Sequence, residues 1–336
     1  MTRRQLPHDT PSRSLRAVAY LPVLAPEMAT PRSPSRAPAR ARPRPVPSLV
    51  QLRMPEVRFR FLDALWIQVT GTHCNIACRH CFISCGPKAD QIPMMSTGQV
   101  EEALEEGRSL GMRQVYFTGG EPFLHPQLPH MVRAALRLAP LTIVTNGLLV
   151  DAGAVRMILE ESQRTRYFLD LRLSLDGTTQ EENDRVRGRG TFEKVLETLR
   201  RLGRAGLSPV VAVVEHEGVG RAESRERFRQ FVRELGIDRP RVQFLPLFRM
   251  GREMRRTHGY HDLGLLSSAP LLSEVESRLP CATGRAVTSQ GVYTCPMLVE
   301  HGSARVGDRL AGSLHPIRLN WDTCQTCMLD GMQGCN

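Results

Sequence analysis

Residues 64–81 read ALWIQVTGTHCNIACRHC. The first seven, Ala64–Thr70, form a short apolar run of buried-strand type. A loop carrying Cys74, Cys78 and Cys81 follows at once. Three thiols at spacings of four and three on one loop make a metal-binding arrangement. A structural metal site closes its coordination shell, whereas a catalytic one keeps a position free. Three thiolates around a four-iron cubane leave one iron without a protein ligand. That open iron is able to chelate a small molecule through an amine and a carboxylate. The competing reading is a closed zinc site with Cys85 or His80 as the fourth ligand.

Outward from this loop the chain alternates strands and helices. Ser96–Gln99 resembles a capping box and predicts a helix through Leu110. Gln114–Thr118 predicts a strand, Leu128–Leu138 a helix, Leu141–Thr145 a strand and Ala152–Glu161 a helix. Leu169–Leu175 predicts the next strand. Phe192–Ala205 predicts an amphipathic helix with Val195, Leu196, Leu199 and Leu202 on one face. Pro209–Val214, Arg225–Leu235 and Val242–Leu247 predict strand, helix and strand. Six such units imply an α/β fold, a partial (β/α)6 TIM-like barrel with its site at the C-terminal strand ends. From about residue 251 the rhythm is lost, and Gln290–Cys295 reads as a short hairpin arm.

The strand ends carry further motifs. Gly119-Gly120-Glu121-Pro122 follows the second strand, Thr145-Asn146-Gly147 ends the third, and Ser174-Leu-Asp176-Gly177 ends the fourth. Arg187-Gly188 and Gly190-Thr-Phe192 lie beyond it. With Cys74, Cys78 and Cys81 in the spacing CxxxCxxC, this order closely resembles the radical S-adenosylmethionine (SAM) superfamily over roughly residues 60–250. The resemblance implies a [4Fe–4S] cluster on Cys74, Cys78 and Cys81. It also implies SAM held by Gly119, Gly120, Glu121, Pro122, Asn146, Ser174, Asp176 and Arg187, with Glu121 and backbone groups toward the methionine amine. His80 would fill the aromatic position before the third cysteine rather than act as a ligand, and Cys85 would be an ordinary loop cysteine. Reductive cleavage of SAM would yield a 5′-deoxyadenosyl radical that abstracts hydrogen from substrate, with no catalytic side chain needed beyond cluster and SAM. Each motif also has a plainer reading: Asp176 as a turn cap, Arg187 as a surface ion pair.

A second cysteine group, Cys281, Cys295, Cys324, Cys327 and Cys335, occupies the last fifth of the chain. Four thiolates suffice for another cluster. Gly291-Val-Tyr-Thr-Cys295-Pro296 resembles part of the SPASM and twitch auxiliary-cluster domains, and five cysteines fit the shorter twitch form. The resemblance assigns Cys281, Cys295, Cys324 and Cys327 as ligands of an auxiliary [4Fe–4S] cluster, with Cys335 competing. A zinc knuckle or a redox-active CxxC uses the same thiols.

Composition sets the outer limits. The 336 residues are 41% hydrophobic and 24% charged, which suits a globular enzyme and excludes a mostly disordered or collagen-like chain. No run is long and apolar enough for a membrane span. The net charge of +11 is concentrated in residues 1–60, which hold 12 arginines and 3 acids. Residues 1–55 also hold 11 of the 24 prolines, and read as a disordered Pro/Arg-rich tail, with translation from Met54 as an alternative start. The remainder is nearly neutral, which weakens a nucleic-acid role. Clustered cysteines fit a reducing cytoplasm better than a disulfide scaffold.

The expected organisation is thus a tail over 1–55, a radical SAM core over 56–250 and a SPASM/twitch-like domain over 251–336. The expected activity is oxidation of a peptide or protein, with electrons from a flavodoxin- or ferredoxin-type reductant and no nucleic-acid or membrane partner. Two alternatives stand beside it: a small-molecule dehydrogenase of the cyclitol or sugar type, and a non-catalytic iron–sulfur or zinc protein. Arg249, Arg252 and Glu253, after the sixth strand, are candidates for lining the substrate pocket.

Overall fold

The computed structural model describes residues 55–215, 221–237, 239–260 and 275–330. The expected tail and Cys335 therefore lie outside the described residues, apart from Pro55. The chain enters through β1 (Glu56–Val57) and then runs β2 (Ala64–Gln68), α1 (Thr97–Ser109), β3 (Gln114–Thr118), α2 (Leu128–Leu136) and β4 (Leu141–Thr145). It continues through α3 (Ala152–Gln163), β5 (Leu169–Ser174), α4 (Gln180–Arg187), α5 (Thr191–Arg204), β6 (Val210–Val214), α6 (Arg221–Glu234), β7 (Arg241–Leu245) and α7 (Arg252–Thr257). Each strand foreseen over residues 64–247 is present, with ends shifted by two residues at most.

Strands β2 to β7 pair in parallel in sequence order. Parallel neighbours need crossovers, and the helices between them supply these while covering the outer face. The period-two alternation of β2 shows how. Leu65 and Ile67 are fully buried in the main core, while Ala64, Trp66 and Gln68 line an interior cavity. Helix α5 packs its predicted stripe inward, with Val195, Leu196, Leu199 and Leu202 all buried. Truncating any of these to Ala would cost about 2–5 kcal/mol. Helix α1 starts as its sequence dictates. Ser96 caps the backbone of Gln99, and the Gln99 side chain accepts from the Ser96 backbone. This capping box contributes about 1 kcal/mol.

The C-terminal segment joins the same sheet. After a helical turn at Pro280–Thr283, strand β8 (Gly284–Thr288) pairs in parallel with the free side of β2. Strands β9 (Gly291–Tyr293) and β10 (Arg305–Gly307) extend it antiparallel, and β11 (Ile317–Arg318) pairs with β1. The hairpin arm expected at Gln290–Cys295 is β9, but β8 and α4 were not foreseen. The sequence GRAVT hides β8, because it is short, begins with glycine and carries a central-strand arginine. Arg285 is tolerated there because carbonyls of Cys281, Gly284, Ser313 and His315 accept its N–H groups at 2.7–2.8 Å. Its guanidinium also lies over the Phe59 ring.

Candidate active site and metal centres

The loop after β2 lies at the C-terminal end of the sheet, where strand ends from across the fold converge on one cavity of about 230 Å³. Cys74, Cys78 and Cys81 all line it, with Gly119, Gly120, Asn146, Ser174 and Arg187. The loop is pinned from several sides. Gly120 sits so close to it that a Cβ would stand 1.9 Å from the His73 carbonyl, and the Glu121 N–H donates to that same carbonyl at 3.0 Å. The glycine pair of GGEP is thus required by contact between β3's end and the cysteine loop.

Glu121 is fully buried, and its oxygens are occupied by its own chain. Thr145 Oγ1 donates to Oε1 at 2.7 Å and the Phe123 N–H at 3.1 Å, while the Asn146 N–H donates to Oε2 at 2.8 Å. Burial pushes its carboxyl up to about 7, against the lowering effect of those bonds and of Arg187. Pro122 is buried and opens the short turn Pro122–Leu124. Glu121 therefore braces β3 against β4.

Asp176 is also held inside. His80 Nε2 lies 2.7 Å and Arg187 Nε 2.8 Å from its Oδ2, and the Val214 N–H donates to Oδ1 at 2.9 Å. Burial alone would raise its carboxyl; the Arg187 charge, His80 and the Val214 N–H outweigh that and hold it well below the usual carboxylate range. Asp176 does not line the cavity, but both of its cationic-type partners do. Arg187, read as a surface ion pair in its plainer form, is buried at the C-terminus of α4. Its Nη1 lies 3.9 Å from Cys78 Sγ.

Polar N–H groups surround the three sulfurs. Asn146 Nδ2 lies 3.7 Å from Cys74 Sγ, and the Cys85 N–H lies 3.3 Å from Cys81 Sγ. Burial pushes Cys74 up to about 12 and Cys78 up to about 11. Cys81 is held down to about 6, first by hydrogen bonding to Cys85 and, against burial, by the Arg252 charge. Buried thiols facing one another ionise readily only beside positive charge, and a bound iron cluster would supply it. Among the described residues no three His, Cys, Asp or Glu side chains converge closely enough to hold a single metal ion. Three thiols lining one cavity are a donor set that fits an iron–sulfur cluster.

Arg252 was expected to line a pocket and does so, with a second task. From the start of α7 its Nε donates to the Cys78 carbonyl at 2.8 Å and its Nη1 to the Ser84 carbonyl at 2.9 Å, and Nη2 reaches the Cys85 carbonyl. It clamps the cysteine loop from the far edge of the sheet. Glu253 is buried and paired with Arg256, the Arg249 backbone N–H donates to Tyr260, and neither residue is among those lining the cavity. Arg172, which the sequence reading passed over, does line it. In the strand LDLRLSL the residues Asp170, Arg172 and Ser174 share one face, and that face, with Ser174 already a candidate, is the signal that points to Arg172.

The second cysteine group also converges. Cys281, Cys295, Cys324 and Cys327 line one small cavity, walled by Phe248, Leu279, Leu319 and Trp321. Burial pushes Cys281 up to about 12 and also raises Cys295 and Cys324. None of the eight described cysteines is in a disulfide. No helix among the described residues is long and apolar enough to cross a membrane.

The Radical SAM superfamily pattern matches residues 69–235. The mycofactocin maturase MftC of Mycobacterium tuberculosis is 32% identical over 139 residues, 41% of this chain and 34% of its own length. The GTP 3′,8-cyclase of Chlorobaculum tepidum is 32% identical over 160 residues, 46% of this chain and 45% of its own. The chain thus spans less than half the length of these curated relatives. Streptococcus suis SuiB bound to its precursor peptide SuiA is similar in fold, with a TM-score of 0.55 at 16% identity, over 74% of this chain and 62% of SuiB.

Proposed function

We propose that this chain, whose residues 69–235 match the Radical SAM superfamily, is a radical SAM enzyme of maturase type that oxidises a peptide or protein substrate in the cavity lined by Cys74, Cys78 and Cys81. The observation that carries the reading is the convergence of these thiols with the ends of β3, β4 and β5 on one cavity. The [4Fe–4S] cluster that this family uses supplies, when bound and reduced, the electron that cleaves SAM to methionine and a 5′-deoxyadenosyl radical.

The chain's own residues do the rest. Cys74, Cys78 and Cys81 hold the cluster, and Asn146, the Cys85 N–H and Arg187 direct N–H groups at their sulfurs. Such contacts favour the reduced state, which carries more negative charge. Asp176 fixes His80 and Arg187 at the cavity wall. Ser174 and the backbone of Gly119 and Gly120 present polar groups to SAM. Trp66 lines the same cavity and is held in place by stacking on Tyr116, with ring centroids 4.0 Å apart.

Cys281, Cys295, Cys324 and Cys327 would hold an auxiliary cluster that accepts the second electron of the oxidation. The first electron leaves with the hydrogen atom that the 5′-deoxyadenosyl radical abstracts, and a flavodoxin- or ferredoxin-type protein would deliver the separate electron that cleaves SAM. The maturase relative and the peptide-bound fold neighbour favour a peptide substrate; the cyclase relative keeps a small molecule as the second reading. Anaerobic reconstitution and a reductant-dependent 5′-deoxyadenosine assay, wild type against the Cys74/Cys78/Cys81→Ala triple variant, test the core. Formation in the wild type and loss in the variant are expected, and equal formation in both would refute it. Deuterium transfer from a labelled peptide pool into 5′-deoxyadenosine would identify the substrate class.

A further inference from the structure

Three arginines are buried among the described residues: Arg172, Arg187 and Arg285. Arg187 faces the Asp176 carboxylate at 2.8 Å. Arg285 is bonded to four backbone carbonyls. Among the described residues Arg172 has neither kind of partner. It is 7% exposed, lies on β5 and lines the cavity two residues before Ser174. Its guanidinium carbon stands 5.3 Å from the centroid of the Tyr116 ring, and its buried Nε has no hydrogen-bond partner.

A guanidinium does not discharge on burial, because its proton affinity is too high. A buried cation without an anion or carbonyl is therefore costly, and stacking on one aromatic ring offsets only part of that. Unspent amides share its setting. Gln68, also lining the cavity, has its Oε1 unpartnered, and Gln243 on β7 has both amide atoms unpartnered. Ser174, Ala212 and Gln243 lie in one register row across β5, β6 and β7. On this interior face the unpaired Arg172 cation and the free Nε2 donor of Gln243 suit a ligand that brings an oxyanion, and the free Oε1 atoms of Gln68 and Gln243 suit N–H donors beside it.

We propose that Arg172 binds a carboxylate of the substrate, an Asp or Glu side chain or a free chain terminus, and so selects acidic substrates. The planar fork of arginine matches two carboxylate oxygens. Arg187 is already committed to Asp176, so the unpaired charge lies deeper in the barrel, at Arg172. The assignment of a carboxylate rests on the peptide reading of the cavity, since carboxylates are the anions an unmodified peptide carries.

The test uses reconstituted holoenzyme with SAM, without reductant, in anaerobic equilibrium dialysis. The probes are N-acetyl-Ala-Glu-Ala-amide against N-acetyl-Ala-Gln-Ala-amide, and N-acetyl-trialanine as free acid against its amide. Gluconate against glucose serves as a non-peptide pair. Wild type is expected to retain at least one peptide acid over its amide by about tenfold or more. Arg172→Met is expected to erase that preference, leave SAM affinity unchanged and raise the melting temperature of the ligand-free protein. Gluconate retained over glucose only with Arg172 present, and no peptide retained, would remove the peptide reading while keeping the assignment of Arg172. No acid preference in any pair, or a preference that persists in Arg172→Met, would overturn the assignment. So would a loss of SAM affinity in that variant, since Arg172 would then serve SAM's own carboxylate.

Discussion

Cys74, Cys78 and Cys81 face a cavity into which the chain also directs Arg187 and the Asn146 amide. Cys281, Cys295, Cys324 and Cys327 face one another inside a wall of Phe248, Leu279, Leu319 and Trp321. Both groups are rich in sulfur, and they are built for different ends. The first has three thiols, charged and amide neighbours, and space beside it for a small molecule. The second has four thiols and an apolar enclosure. A metal centre with an open, polar side can bind and transform a ligand, whereas a fully ligated one in an apolar shell suits electron transfer. On the proposed reading the first is a site for chemistry and the second a site for electrons, and β8, which follows Cys281, pairs with β2, which precedes Cys74.

Mutation of the cysteines should separate the two roles most sharply. Cys78→Ala is expected to reduce 5′-deoxyadenosine formation to background, measured anaerobically with dithionite. Cys295→Ala is expected to leave SAM cleavage intact while substrate oxidation falls to background, measured by mass spectrometry of the product. Equal effects of both variants on SAM cleavage would merge the sites into one function.

The carboxylates around the first site come next. Asp176→Asn leaves Arg187 and His80 beside an uncharged partner, and is expected to cost about 3–5 kcal/mol in chemical denaturation. The same variant at Asp170, an exposed partner of Arg241, should cost about 1 kcal/mol or less. Glu121 gives a pH signature. Its folded carboxyl sits near 7, above the usual value of 4.5, so its protonated form is favoured by folding. Its contribution is fully present below 4.5 and is lost as the pH rises through 7. Stability should fall by about 2–3 kcal/mol between pH 5 and 8, and Glu121→Gln should flatten most of that slope. The smallest effect is expected from Asn146→Ala. Removal of an N–H directed at Cys74 should move the first centre to a lower reduction potential and leave the second unmoved.

Much of this was legible in the chain. Period-two and 3.6-residue patterns placed the strands and most helices over residues 64–247, because each element buries its own apolar set locally. The strand-end motifs fell where a parallel sheet puts a site. What could not be read were partners distant in sequence. Nothing local says that Glu121 spends its oxygens on Thr145 and Asn146, or that Asp176 spends its own on His80 and Arg187. The clamp from Arg252 to carbonyls some 170 positions earlier depends on the sheet bringing its edges together. Arg172 was hidden differently. Its residue type was visible, but the absence of a partner shows only in three dimensions.

The central claim is that the first site is open to SAM and the second is not. Electron paramagnetic resonance of two reduced variants tests it directly. One lacks Cys281, Cys295 and Cys324, leaving the first centre alone; the other lacks Cys74, Cys78 and Cys81. SAM is predicted to change the spectrum of the first variant and leave that of the second unaltered. A second centre that responds to SAM, or C-terminal cysteines that take up zinc and give no iron–sulfur signal, would contradict the account.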